Sequence, residues 1–106
     1  MRYAVVDIGT NSARLMIAHV EGGRVVADYK TLRLIRVGEG MVDRRVIVPS
    51  AMERTRQALR EFLAISREYG AAERFLCFAT SAVRDAENRD EFTDFIRREC
   101  GVDVDI

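Results

Sequence analysis

Residues 3–18 read Tyr3-Ala4-Val5-Val6-Asp7-Ile8-Gly9-Thr10-Asn11-Ser12-Ala13-Arg14-Leu15-Met16-Ile17-Ala18. The first six residues are apolar except for Asp7, a pattern typical of a strand that is buried on both faces. Apolar alternation resumes at Leu15 and Ile17, so the intervening turn joins two strands directly. A Walker-type P-loop and a Rossmann turn both run from a strand into a helix, and the pattern therefore argues against both.

The turn itself is rich in groups that bind anions. Gly9 has no side chain to block the approach of a ligand to the backbone, and the next three residues supply hydroxyls, an amide and successive N–H donors. The turn is therefore a candidate phosphate cradle. An ordinary hairpin is the alternative, because the same residue types are the commonest turn formers and Asp7 could bond the backbone two residues on.

Composition limits the size and the partners of the protein. The chain has 106 residues, 48% of them hydrophobic, which is enough for a single domain with one modest core. The 17 Lys and Arg residues balance the 17 Asp and Glu residues, so we expect neither nucleic acid nor a membrane as a partner. The two cysteines have no CxxC spacing, and no leader or membrane-spanning run is evident, so we expect a soluble, cytoplasmic protein.

The rest of the chain contains further strand patterns. The apolar residues predict a second strand over 15–20, a third over 25–35, a fourth over 74–79 and a fifth that begins over 102–106. The fourth run, like the first, is apolar on both faces, and a strand reached through a helix is expected to lie parallel in the sheet. Residues 41–48 are assigned to a loop, with an extended piece at 46–48.

Two amphipathic helices separate these strands. A capping box that begins at Ser50 starts the first helix, and Gly70 ends it. A second capping box, at Asn88, starts a helix that Gly101 ends. The charged side chains of the first helix, among them Arg54, are interpreted as its solvated face.

The predicted order is β-β-β-α-β-α-β, an α/β fold with a mixed sheet. Right-handed crossovers place the strands in the spatial order 3-2-1-4-5. The turns after strands one and four then meet at one edge, where open α/β sheets bind ligands. We expect Ser81 to cap a short helical turn that carries Arg84 to the same anion, whereas the alternative for Arg84 is a surface pair with Asp85 or Glu87.

Three blocks of the sequence resemble one known family, the exopolyphosphatase and guanosine pentaphosphate phosphohydrolase (Ppx/GppA) family. The blocks are Asp7–Leu15, Arg36–Met41 and Ala79–Ala86, the last followed by Asn88 and Phe92. The resemblance implies the RNase H-like fold of the actin and sugar-kinase superfamily. It also implies release of terminal phosphate from inorganic polyphosphate or from guanosine pentaphosphate, with a divalent metal, usually Mg²⁺, and a homodimeric full-length protein.

The resemblance also assigns roles to single residues. Asp7 would organise the metal and water, while Arg14, Arg84 and Ser81 would contact phosphates. The first phosphate loop would consist of Gly9, Thr10, Asn11 and Ser12. The chain departs from the family pattern at Met41 to Val48, where the family usually has a glycine-containing turn before the helix.

The family's catalytic base is implied to lie in a segment beyond Ile106. We therefore expect residues 1–106 to be one incomplete N-terminal domain that is inactive alone, with an edge strand at its end and exposed apolar surface. Two other functions stay open at this point. The chain could be an ATP-binding domain of an actin or sugar-kinase type, or a non-catalytic scaffold that binds polyphosphate.

Overall fold

The backbone forms a five-stranded sheet and three α-helices. A computed structural model describes residues 1–41 and 44–106. The strands are β1 Arg2–Ile8, β2 Ser12–Glu21, β3 Arg24–Leu34, β4 Phe75–Ala79 and β5 Val104–Asp105. The helices are α1 Pro49–Glu68, α2 Ser81–Asp85 and α3 Arg89–Cys100, with short 3₁₀ turns at Val37–Gly40 and Ala72–Arg74. No helix in the described ranges combines the length and the apolar character that crossing a bilayer requires.

The strand order is β3-β2-β1-β4-β5, which confirms the predicted order. Strand β1 pairs antiparallel with β2 and parallel with β4, and β5 extends the parallel half of the sheet. The antiparallel half is a meander, whereas each parallel step passes through a helical crossover. Part of the predicted loop at 41–48, residues 42–43, lies outside the described residues.

One face of the sheet carries the whole core. Alternate residues of β1, such as Val6 and Ile8, pack with Phe62 of α1 and with Phe92 and Ile96 of α3 in one buried cluster. The helices therefore cover a single face of the sheet. Strand residues that alternate with the core residues point to the opposite face.

The opposite face of the sheet, which we term the open face, is uncovered by the residues that the structure describes. On β4, Leu76 and Phe78 are 55% and 39% exposed. The prediction that both central strands are buried on both faces is therefore wrong for this chain, since the described ranges contain only one helical layer. The expected exposure of apolar surface is confirmed.

The predicted starts of two helices need correction. Helix α1 follows Val48 and has Pro49 in its first turn, so Ser50 lies inside the helix and caps nothing. Proline suits this position because it lacks the N–H that a cap would satisfy. The N-cap of α2 is Thr80, not Ser81, and its side chain makes no capping bond. The predicted helix ends are confirmed, because Gly70 follows α1 at φ 72° and Gly101 ends α3 at φ 69°.

A charged cluster fixes the end of the sheet that lies farthest from the β1–β2 turn. The His19 Nδ1 atom lies 2.8 Å from Asp28 Oδ2, and its Nε2 atom lies 3.2 Å from Glu21 Oε2. The Arg2 guanidinium also donates to Asp28 Oδ2, at 3.3 Å, and lies over the Tyr69 ring. Hydrogen bonds with the carboxylates of Asp28 and Glu21 raise the pKa of His19 above its ordinary value.

We expect this cluster to make stability depend on pH, with the loss on the alkaline side of the ordinary histidine pKa. Because the folded-state pKa of His19 is raised, its stabilising contribution is complete below the unfolded value of about 6.5 and is lost as pH rises through the folded value. We expect the urea midpoint of the parent to fall more steeply than that of His19→Gln as pH rises above about 6.5. Parallel pH profiles for the two proteins would contradict this expectation.

Candidate phosphate-binding site

The two predicted turns lie side by side at the carboxyl ends of β1 and β4. The Gly9 N–H donates to the Ser12 carbonyl at 2.9 Å and closes the turn that we term the phosphate turn, residues 9–12. The Thr80 N–H donates to the Ile8 carbonyl at 3.3 Å and joins the end of β4 to the end of β1. The sheet topology thus brings together residues that are far apart in sequence.

The segment after β3 braces the phosphate turn. The N–H groups of Ile35 and Arg36 donate to the Asn11 carbonyl at 2.9 and 3.0 Å, and the Gly38 N–H donates to the Thr10 carbonyl at 3.0 Å. These three bonds satisfy the Thr10 and Asn11 carbonyls of the turn. Because the phosphate turn joins two strands, no helix follows it to restrain its backbone. The segment after β3 provides that restraint through its hydrogen bonds.

Arg54 of α1 holds the bracing segment in turn. Its Nε donates to the Ile35 carbonyl at 2.8 Å, and its Nη2 donates to Glu39 Oε1 at 2.8 Å. The hydrogen bond from Arg54 lowers the pKa of Glu39. The interpretation of Arg54 as part of a solvated face is therefore wrong: the side chain links the helix to the loop. Its spacing along the helix gives no signal of this, because an exposed arginine would occupy the same position.

The candidate site residues line two cavities rather than one. A cavity of about 590 Å³ on the open face is lined by Asp7 and Arg14, together with Lys30 and other residues of β1, β2 and β3. A second cavity, of about 420 Å³, is lined by Thr10, Gly38, Met41, Arg45, Ser81, Ala82 and Asp85, and we term it the loop cavity. The register of β1 and β2 explains why Asp7 and Arg14 line the same cavity. The two residues are cross-strand partners and so point to the same face.

Asp7 has an unusual environment for a carboxylate. Among the described residues, its Oδ1 is the one buried side-chain oxygen or nitrogen without a hydrogen-bond partner. Leaving such an atom unsatisfied is costly, and a bound cation or donor would remove that cost. The described ranges contain no group of three His, Cys, Asp or Glu side chains that could hold a metal, so protein ligands other than Asp7 are few here.

The remaining candidates are placed less favourably. Arg84 lines neither of these two cavities, and its Nε lies 3.7 Å from Asp85 Oδ1 in an exposed pair, as in the alternative reading of this residue. Asn11 is exposed, and Ser12 is half-buried at the start of β2. Burial raises the pKa of the Cys77 thiol to about 12, which keeps it protonated and excludes it as a nucleophile.

The contact between Gly38 and Thr10 can be tested directly. A Cβ added at Gly38 would lie 2.5 Å from Thr10 Cγ2, so Gly38→Ala displaces the Thr10 side chain in the phosphate turn. We expect Gly38→Ala to lower the free energy of unfolding by about 1–3 kcal/mol in urea titrations. Thr10→Ser removes the clashing methyl group, so the double variant should recover most of the loss. Additive losses in the double variant would show that the strain lies elsewhere.

The chain is similar in sequence to members of one known protein family. A sequence profile of the Ppx/GppA phosphatase family matches residues 16–106. The exopolyphosphatase 2 of Mycobacterium tuberculosis is 39% identical over 95 residues, which cover 86% of this chain and 30% of the relative. A bifunctional 3-dehydroquinate synthase/phosphatase of Fusobacterium nucleatum is 39% identical over 84% of this chain and 14% of its own length. The chain thus spans less than a third of these relatives.

The fold agrees with a solved structure at moderate sequence identity. The crystal structure of the Aquifex aeolicus Ppx/GppA family member superposes with a TM-score of 0.91 and 32% identity, over 99% of this chain and 34% of that one. The fold class expected from the resemblance is thereby confirmed. Since the profile spans most of the sequence and the shared fold covers nearly all of it, the chain belongs to the Ppx/GppA phosphatase family.

Proposed function

We propose that this chain is the N-terminal phosphate-loop part of a phosphoanhydride hydrolase. The full-length protein would release terminal phosphate from inorganic polyphosphate or guanosine pentaphosphate. The observation that carries the proposal is the junction of β1 and β4, where a braced phosphate turn directly follows a carboxylate with an unpaired buried oxygen. Family membership and relatives that are named exopolyphosphatases support it.

The loop cavity suits a terminal phosphate. Thr10 and Ser81 line it from the ends of two different strands, and both carry a hydroxyl that can donate to a phosphate oxygen. Phosphoryl transfer depends on donors that are fixed in advance around the developing charge. The bracing of the Thr10 and Asn11 carbonyls provides such rigidity, because the turn cannot relax without losing three hydrogen bonds.

Asp7 is the residue that would hold Mg²⁺. The ion commonly binds through one or two carboxylates together with substrate phosphates, so a single carboxylate with an unsatisfied oxygen fits it. When bound, Mg²⁺ would neutralise charge on the phosphates as the anhydride bond breaks. Arg14 pairs in register with Asp7 on the open face, and it would contact phosphates beyond the terminal one.

The general base is proposed to lie outside these residues. Glu39 is bonded to Arg54, and Asp85 is paired with Arg84, so neither carboxylate is well placed to activate water. We therefore expect the 106-residue chain to bind phosphate compounds without turnover. The full-length protein is further proposed to be a cytoplasmic homodimer, as the family resemblance implies.

A titration of amide shifts tests this proposal. The isotope-labelled chain is titrated with Mg²⁺ and then, separately, with tripolyphosphate, guanosine pentaphosphate and ATP. We expect shifts at residues 9–12 and at Ser81, with the first two compounds binding more tightly than ATP. Tightest binding of ATP would instead favour the actin or sugar-kinase type of domain. Absence of shifts at the phosphate turn with every compound would contradict the proposed cradle.

Two substitutions separate metal from phosphate binding. Asp7→Asn should abolish the shifts caused by Mg²⁺, because the amide removes the charge that attracts the cation. Arg14→Ala should weaken tripolyphosphate binding about 3- to 10-fold through loss of a charge-assisted contact. Arg24→Ala is the matched control, since Arg24 is also exposed and begins β3, at the opposite end of β2 from Arg14. Equal losses of tripolyphosphate affinity in the two variants would show that Arg14 does not contact the ligand.

A further inference from the structure

The loop cavity contains a cation that the proposed function leaves unassigned. Its charged lining residues are Arg45 and Asp85. The charge of Asp85 is paired with the Arg84 guanidinium at 3.7 Å, whereas Arg45 takes part in none of the ion pairs formed within residues 1–41 and 44–106. Arg45 thus lines the same cavity as the two hydroxyl-bearing residues Thr10 and Ser81.

The backbone that carries Arg45 is fastened to the junction between α2 and α3. The Asn88 side chain bonds the Ile47 backbone twice: Oδ1 accepts from the Ile47 N–H at 2.9 Å, and Nδ2 donates to the Ile47 carbonyl at 3.0 Å. The Glu87 N–H also donates to the Arg45 carbonyl, at 2.6 Å. The Asn88 amide nitrogen also donates to Glu91 Oε2 at 3.5 Å, but the side chain makes no capping bond to the backbone of α3, which the predicted capping box required.

These three bonds restrain a segment that is neither helix nor strand. The Ile47 side chain is fully buried and adds an apolar anchor. An arginine on a free loop would lose backbone and side-chain entropy when it bound a ligand, and restraint of the backbone reduces that cost. The restraint thus keeps Arg45 at the wall of the cavity before any ligand arrives.

This segment carries Arg44 and Arg45 in succession, and of the two only Arg45 lines the loop cavity. A guanidinium can donate two parallel hydrogen bonds to one phosphate, which an ammonium cannot match. Arg45 can therefore hold a phosphate in a fixed orientation at this wall.

We propose that Arg45 binds phosphate oxygens of a substrate seated in the loop cavity, and that Asn88 is the positioning residue that holds it there. This inference rests on the proposed function and adds a specificity-determining contact to it. The ligand class is an inorganic or nucleoside polyphosphate with at least two linked phosphates, since Thr10 and Ser81 already serve one. Arg45 acts by direct contact, and Asn88 acts only through the Arg45 backbone.

Tripolyphosphate binding to the 106-residue chain tests the contact. Arg45→Ala should weaken binding about 3- to 10-fold, and Arg45→Lys should recover part of the loss because it keeps the charge but not the bidentate geometry. Arg44→Ala is the matched control, because it removes the same charge from the neighbouring exposed residue. Equal affinities of Arg45→Ala and Arg44→Ala would overturn the inference for Arg45.

The same titrations distinguish this inference from the proposed function. If the parent shows no amide shifts at residues 9–12, the cradle and the inference fail together. If the parent shows those shifts and Arg45→Ala binds as tightly as the Arg44→Ala control, only the inference fails. Orthophosphate serves as a second probe, and its affinity should depend less on Arg45 than that of tripolyphosphate does.

A double-variant cycle tests the role of Asn88. Asn88→Ala should weaken tripolyphosphate binding in the parent but cause no further loss in the Arg45→Ala background, because it acts through that residue. A purely structural role would lower affinity equally in both backgrounds and would overturn the positioning role. If Asn88→Ala does not fold, Asn88→Asp serves in its place, since its oxygen still accepts from the Ile47 N–H while the donor to the Ile47 carbonyl is lost.

Discussion

The parallel pairing of β1 with β4 is the contact on which the candidate site depends. It aligns Ile8 with Ala79, so that both strands end at the same level and their turns become neighbours. Every later feature of the site follows from this register. A slip of one residue would turn Asp7 toward the helices, where a carboxylate would be buried among apolar side chains. The apolar residues on the helical face of β1 therefore fix the position of the carboxylate on the other.

The loops of the site are held by long-range contacts and not by local turn chemistry. Arg54 reaches from α1 to the segment after β3, and Asn88 reaches from the start of α3 to Ile47. Each joins parts of the chain that are far apart in sequence. The geometry of the site therefore requires both the meander and the helical crossovers to be in place, so local opening of either would disturb the phosphate turn.

The fold could be predicted from the sequence because its strands and helices differ clearly in apolar period, and the handedness of crossovers leaves few topologies. The convergence of Thr10 and Ser81 followed from that topology alone. The positions of Arg45 and Arg54 did not, because a charged residue on a loop or on the outer face of a helix looks the same whether it is solvated or bonded. Capping was misjudged for a related reason: Asn88 fits a cap by sequence, but its amide satisfies a distant backbone segment instead.

Strand β3 forms one edge of the sheet, and an unpaired edge strand can promote aggregation. This strand runs over 11 residues, and an exposed edge of that length is a template on which another chain could add a strand and begin aggregation. Four charged residues are spread along this strand: Arg24, Asp28, Lys30 and Arg33. Its pairing with β2 also contains a bulge, opposite Ile17 and Ala18, that shifts the register. An incoming strand would have to strip water from those charges and match an irregular ladder, so the edge resists propagation by its own composition.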